Sequence, residues 1–223
     1  MKLISKLILA GVATLLISAC ASVSVKNVNK EVSVTPLVKP DVIYILPFQT
    51  APGEFNVDRT GAELADFKQN LQLMLSTALV TEFPLHLAPS RIVSGLPPRS
   101  NAWVVSGQFI RVNQGSRLLR TTIGFGAGGT KMETRVFVYN LAAGSHVPPF
   151  LTFETTGGSG AEPGMLGSMD PVSLALSGVA GAAKGLSDDT KRTARMITAT
   201  LSDYMYKQGW ISKEQKLTPK MQE

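Results

Sequence analysis

The chain has 223 residues, 44% of them hydrophobic, and carries 22 Lys and Arg against 16 Asp and Glu, a formal charge of +6. That content suffices for one core and leaves two small domains possible. The positive charges are scattered, apart from the Arg117/Arg120 pair and Lys191-Arg192-Arg195, and no basic stripe is interleaved with aromatics, which argues against nucleic-acid binding.

The N-terminus opens with Lys2 and Lys6, followed by an uncharged apolar run from Leu7 to Ile17 and the small residues Ser18 and Ala19 before Cys20. A charged start, a short apolar run and small residues describe a secretory signal. The run is shorter than the roughly 20 apolar residues that cross a bilayer. Ile17-Ser18-Ala19-Cys20 resembles the lipobox of bacterial lipoproteins. In that family the signal is cut before the cysteine, whose thiol takes a diacylglycerol and whose new N-terminus takes a further acyl chain such as palmitate. Two or more chains make a stable anchor where one does not. Cys20 is the only cysteine, so no intrachain disulfide competes for it. By the same resemblance, Ala21 implies sorting to the outer membrane of a Gram-negative cell, with the domain on its periplasmic face. Residues 1–19 are then the signal, and the mature chain starts at Cys20 with 204 residues (223 less 19) and a charge of +4 (+6 less Lys2 and Lys6).

Residues 20–40 read as a lipidated N-terminus and tether, with Pro36 and Pro40 opposing regular structure. Val42 to Phe48 is an apolar, β-branched run of strand length. Thr50 to Val57 reads as a loop. Asp58 to Phe83 reads as a long helix, capped by Asp58 and ended by Pro84; Leu64, Phe67, Leu71, Met74, Leu75, Ala78 and Leu79 form its apolar stripe. Leu85 to Leu87 is a short strand candidate, and Ala102 to Val112 a clearer one, closed by a turn at Asn113-Gln114-Gly115. Met132 to Leu141 alternates, with Val136 and Val138 on one face and Phe137 and Tyr139 on the other; Phe150 to Thr155 pairs with it as a hairpin. Ser187-Asp188-Asp189 starts a last helix reaching about Lys207, with Ala194, Ile197, Leu201, Tyr204 and Met205 as its stripe. Gly209 stops it, Trp210-Ile211 tuck back on the core, and residues 212–223 form a frayed polar tail. One domain over residues 41–211 results. It is α+β: a mixed, mostly antiparallel sheet with a long N-terminal helix and a C-terminal helix packed on one face.

Gly124-Phe125-Gly126-Ala127-Gly128-Gly129 matches the spelling of a dinucleotide fingerprint, but a strand follows it where that site needs a helix. Two readings remain. The glycines Gly124, Gly126 and Gly128 allow tight packing within the domain, or they form a surface for self-association or membrane contact. Arg117 and Arg120 beside them are the charged contact candidates, and a solvated or salt-bridged face is the plainer reading. The segment Gly178 to Gly185 has the same ambiguity.

At these residues the chain resembles a group of bacterial lipoproteins classed only as a domain of unknown function. The resemblance rests on Val104-Val105-Ser106-Gly107-Gln108-Phe109, Gly115-Ser116-Arg117, Arg120, Ile123-Gly124-Phe125-Gly126-Ala127-Gly128 and the Val136-Phe137-Val138 strand. It covers about Asp41 to Tyr206 and implies an envelope lipoprotein with an α+β domain and no assigned activity. More loosely, a strand ending in Pro-Phe before a long helix looks like envelope-assembly and transporter-auxiliary lipoproteins, an analogy of fold.

Catalytic chemistry is sparse. His86 and His146 lie sixty residues apart without cysteine or acidic neighbours at ligand spacing, so no metal is expected. Ser159 lacks the surroundings of a nucleophile elbow. Asp188-Asp189 reads as a helix cap before it reads as a general base. The expectation is a non-enzymatic, lipid-anchored envelope module with no cofactor beyond its own acyl chains, which contacts an envelope protein or a second copy of itself. The alternative is a binder of lipid or another small hydrophobic ligand on the periplasmic face. A hydrolase comes third.

Overall fold

A computed structural model describes residues 24–31, 37–115, 130–144, 147–158 and 171–218, with residues 171–185 given by their backbone. Seven strands form one sheet: β1 (Ser24–Lys30), β2 (Val42–Ile45), β3 (Glu54–Asn56), β4 (Ser90–Ile92), β5 (Ala102–Asn113), β6 (Lys131–Asn140) and β7 (Leu151–Gly158). Two α-helices, α1 (Gly61–His86) and α2 (Pro171–Lys207), and a short 3-10 turn (Leu141–Ala143) complete the described elements. The strand order is β1-β7-β6-β5-β2-β4, with β3 also paired to β5. The β5/β6, β6/β7 and β1/β7 pairs are antiparallel; β2 with β4, β2 with β5 and β3 with β5 are parallel. The α+β class and the mostly antiparallel mixed sheet are therefore as the sequence implies.

The pleat explains the layering. Met132, Thr134, Val136 and Val138 of β6 point one way, as do Trp103, Val105 and Phe109 of β5 and Leu151 and Phe153 of β7, and all are buried. Against them lie Leu71, Leu75, Leu79 and Phe83 of α1 and Ala194, Ile197, Leu201 and Met205 of α2. Their steps of three and four residues bring each set to one helical face. Aromatics fill the space at both ends. Trp103, Phe150, Tyr204 and Trp210 pack with ring centroids 5.0–6.3 Å apart. Phe55 sits 6.5 Å from Phe67 and 6.4 Å from Phe109, which is 6.1 Å from Phe48.

Gly107 marks a close approach. A Cβ there would collide with the Phe48 ring and lie 2.5 Å from the Arg135 carbonyl oxygen, so a bare backbone is what admits Phe48 against the sheet.

Several boundaries depart from the sequence expectation. The expected tether contains β1, which pairs antiparallel with β7, because Ser24–Lys30 supplies backbone groups to an otherwise open sheet edge. β3 lies within the expected Thr50–Val57 loop and continues the path of β2 along β5, bridged by Gln49 and Gln108. Thr60, not Asp58, occupies the position before α1, without a side-chain cap. Pro84 does not end α1. It cannot donate to the Val80 carbonyl one turn back, and that oxygen instead accepts from the Ser90 hydroxyl at 3.1 Å. The helix runs on through Leu85 and His86, which excludes the strand expected there; β4 starts at Ser90. The last helix begins at Pro171, so Ser187-Asp188-Asp189 lies inside it and caps nothing. Gly209, at φ +75°, ends it as expected, and Ile211 is buried. The tail is docked as far as Leu217: its amide donates to Ser202 Oγ at 3.1 Å, and Lys216 reaches Asp203 at 2.7 Å.

Candidate interaction surface

The helices cover one face of the sheet, and the other face is built in cross-strand rows. One row runs Tyr44–Val104–Tyr139 across β2, β5 and β6, with Arg91 of β4 beyond Tyr44. The next is Ser106–Phe137–Thr152. Val42, Tyr44, Leu46 and Tyr139 are partly buried around a small cluster of Ala102, Val104 and Leu141. Among the described elements neither α1 nor α2 packs over this row; Leu141, in the short 3-10 turn after β6, packs with Val104, which is buried.

Further along the strands the same face turns ionic. Gln108, Arg135, Glu154 and Lys26 form a row in which Arg135 donates twice to Glu154 Oε1, at 2.6 and 2.8 Å, and Asn27 donates to Oε2 at 2.7 Å. Partial burial pushes the Glu154 carboxyl up, but those hydrogen bonds and the Arg135 charge outweigh it and hold Glu154 below the usual range. Arg111 joins Glu54 at 3.3 Å to Glu133 at 3.6 Å, and Lys131 closes on Glu133 at 2.7 Å. Glu54 is held low by the Asn56 amide first and Arg111 second. An aromatic patch thus adjoins a lattice of paired charges.

On the helix side a buried polar contact joins α2 to the residue that precedes β6. Asp189 of α2 accepts from the Thr130 hydroxyl at 2.6 Å, and its second oxygen lies 3.7 Å from Arg192 without a hydrogen bond. Burial raises its carboxyl above the usual range; the Thr130 bond and the Arg192 charge oppose this, and Asp188 adds to it. These contacts tie helix to sheet. His86 Nδ1 lies 3.2 Å from the Gln215 carbonyl and ties α1 to the tail. Among the described residues no three His, Cys, Asp or Glu side chains converge as a metal site.

Cys20, Arg117, Arg120, Gly124, Gly126 and Gly128 lie outside the described residues, as do His146 and Ser159. The structure brings together the flanks of the glycine run: Asn113 and Lys131 are register partners, and Gly115, at φ +77°, turns the chain away from β5. Sequence reading missed Tyr44 and Leu46 as surface groups, because β2 reads as one unbroken apolar run. The tyrosine, with its hydroxyl, was the available signal.

Residues 43–175 match the family described as "Domain of unknown function (DUF4410)". The chain belongs to this family. The match runs from β2 to the first turn of α2, so it takes in strands β2 to β7 and α1, with both flanks of the glycine run, and leaves out β1. No curated protein matches the chain by sequence. Among solved structures, a PelC dodecamer of Paraburkholderia phytofirmans is similar over 77% of this chain and 96% of its own, at 12% identity and a TM-score of 0.35. A Helicobacter pylori protein described as a neuraminyllactose-binding hemagglutinin homolog is similar over 80% of this chain and 96% of its own, at 11% identity and a TM-score of 0.34.

Proposed function

We propose that this DUF4410 protein is a non-catalytic, lipid-anchored module of the cell envelope, held by acyl chains on Cys20 and acting through contact with another envelope protein or a second copy. Its working surface is the open sheet face. The observation that carries the reading is the set of half-buried side chains Tyr44, Leu46, Phe137 and Tyr139 around the buried Val104, left uncovered by α1 and α2 and bordered by charges that already have partners. An apolar centre within a polar rim is the usual build of a protein contact. The lipobox and Ala21 support an outer-membrane location facing the periplasm.

The reading as a binder of a small hydrophobic ligand is less well supported. The space between helices and sheet is occupied by Trp103, Phe150, Tyr204 and Trp210 at one end and by Phe48, Phe55, Phe67 and Phe109 at the other.

The test is photocrosslinking in intact cells from a probe placed at Phe137, with a probe at the exposed Thr77 of α1 as the reference and Cys20→Ala as the unanchored control. Repeated adducts from position 137, lost with Cys20→Ala, are expected. Adducts from neither position overturn the reading.

A further inference from the structure

The pleat that turns one set of side chains toward the helices also sorts the charges of the sheet. Val25, Phe55, Val112, Met132 and Phe153 face the core, so their neighbours in sequence face the open side. Three acids stand there: Glu54 of β3, Glu133 of β6 and Glu154 of β7. Each already holds a base. Arg111 lies 3.3 Å from Glu54, Lys131 2.7 Å from Glu133 and Arg135 2.6 Å from Glu154. Two further bases share the face, Arg91 of β4 and Lys26 of β1, and neither has a carboxylate partner among the described residues. Five bases against three acids leave the strands of this face at +2, with no acid unpaired.

The two unpaired bases bracket the aromatic centre. Arg91 is the cross-strand neighbour of Tyr44, and its row continues through Val104 to Tyr139. Lys26 closes the row of Gln108, Arg135 and Glu154 at the other edge of the sheet. Five strand steps from β4 to β1, at ~4.8 Å each, set them about 24 Å apart across the face. Phe137 belongs to the row between and lies near the middle of that diagonal. Both bases are exposed, whereas Tyr44, Phe137 and Tyr139 are half-buried.

This arrangement decides between the two partners left open above. A second copy laid on this face would bring its own Arg91 and Lys26 and no unpaired carboxylate to receive either, so two faces of like charge would meet. A surface that sets carboxylates outside an apolar strip would receive both bases and leave the existing pairs intact. Opposite charge across a contact speeds docking and suppresses wrong partners even where it adds little affinity. Arginine suits such a site, because its guanidinium takes a carboxylate through two parallel hydrogen bonds and is weakly hydrated.

We propose that the open face receives an acidic segment of a different protein, with Tyr44, Phe137 and Tyr139 as its apolar seat and Arg91 and Lys26 as the bases its carboxylates meet. Resting on the contact role proposed above, this narrows the partner to one class and excludes a face-to-face dimer of the chain.

The full-length protein with a photoreactive phenylalanine analogue at position 137 is crosslinked in intact cells, and each adduct is mapped to its peptide by mass spectrometry. Adducts are expected on another protein, in a stretch with more Asp and Glu than Lys and Arg. The double charge reversal Lys26→Glu/Arg91→Glu is expected to lower the yield several-fold, while Lys26→Arg/Arg91→Lys keeps it. Thermal unfolding of each variant checks that the domain is intact; should the reversal not accumulate, Lys26→Gln/Arg91→Gln is expected to lower the yield in the same direction. Adducts on a second copy, adducts on a neutral or basic stretch, or a yield indifferent to these charge changes overturns the acidic partner and leaves the face as a contact surface. Adducts from neither position 137 nor the reference position 77 overturn both.

Discussion

The Thr130 hydroxyl donates to Asp189 Oδ2 at 2.6 Å across 59 positions of sequence, and this buried bond pins the start of β6 to the middle of α2. It joins the flank of the glycine run to the helix that packs across the sheet.

Asp189 gives the first prediction. Its folded carboxyl is raised, chiefly by burial. A raised acid binds its proton more tightly in the folded state, so it favours folding at low pH, and that contribution is lost as pH climbs from the ordinary carboxylate range through its raised value. Asp189→Asn keeps an acceptor for Thr130 and removes the buried charge. Chemical denaturation at several pH values is expected to show the variant close to wild type in acid and increasingly favoured toward neutrality. A difference that stays flat with pH refutes the assignment.

Glu154 has the opposite sign. It is held low in the folded state, so its contribution is present above the ordinary carboxylate range and disappears as pH falls through its depressed value. Arg135 is 43% exposed, which limits the pair to about 0.5–1 kcal/mol. Glu154→Gln is expected to cost that much at neutral pH and nothing in strong acid, measured by the same denaturation series. A loss unchanged by pH would assign the effect to packing.

Pro84 and Ser90 test a substitution of donors. Ser90→Ala leaves the Val80 carbonyl without the hydroxyl at 3.1 Å and is expected to cost about 1 kcal/mol. Pro84→Ala restores an N–H to that same oxygen. In the Pro84→Ala background the cost of Ser90→Ala should fall toward zero, and a double-mutant cycle reads the coupling directly. Additive losses contradict the shared acceptor.

Gly107 tests the seat of Phe48. Gly107→Ala places a methyl where the Phe48 ring and the Arg135 carbonyl already are, so a loss of about 1–3 kcal/mol from overpacking is expected. Thermal unfolding of Gly107→Ala and of Gly107→Ala/Phe48→Leu checks it. The smaller ring substitute should recover part of the loss, and no recovery rejects the contact as its cause.

What the sequence made legible followed from periodicity. The α1 stripe from Leu64 to Leu79, the alternation of Val136 and Val138 against Phe137 and Tyr139, and the glycine stop at Gly209 each depend on neighbours in sequence, and the structure places each as read. The rest depends on distant partners. Nothing local says that Pro84 can stay helical, because Ser90 relieves it from the next strand. β1 is a polar stretch whose strand form comes from the open edge of β7, 127 positions away at Asn27 and Glu154. Asp189 looked like a cap because acidic residues favour helix starts; the helix in fact begins eighteen residues earlier. The open-face patch was hidden because Tyr44 sits in a run that reads as wholly buried.

The last prediction concerns β1, which the sequence reads as tether and the structure pairs with β7. A free tether exchanges its amides with solvent at unprotected rates, whereas paired strand amides exchange only when the edge opens. Residues Ser24 to Lys30 are expected to show protection by hydrogen exchange, weaker than β5 and β6 because β1 is an edge strand with mostly exposed side chains. Val25 packs on the core from this strand, so Val25→Asp should remove the protection of β1 while leaving that of β5 and β6 intact. Unprotected β1 amides in the wild-type protein would return this segment to the role of a loose tether.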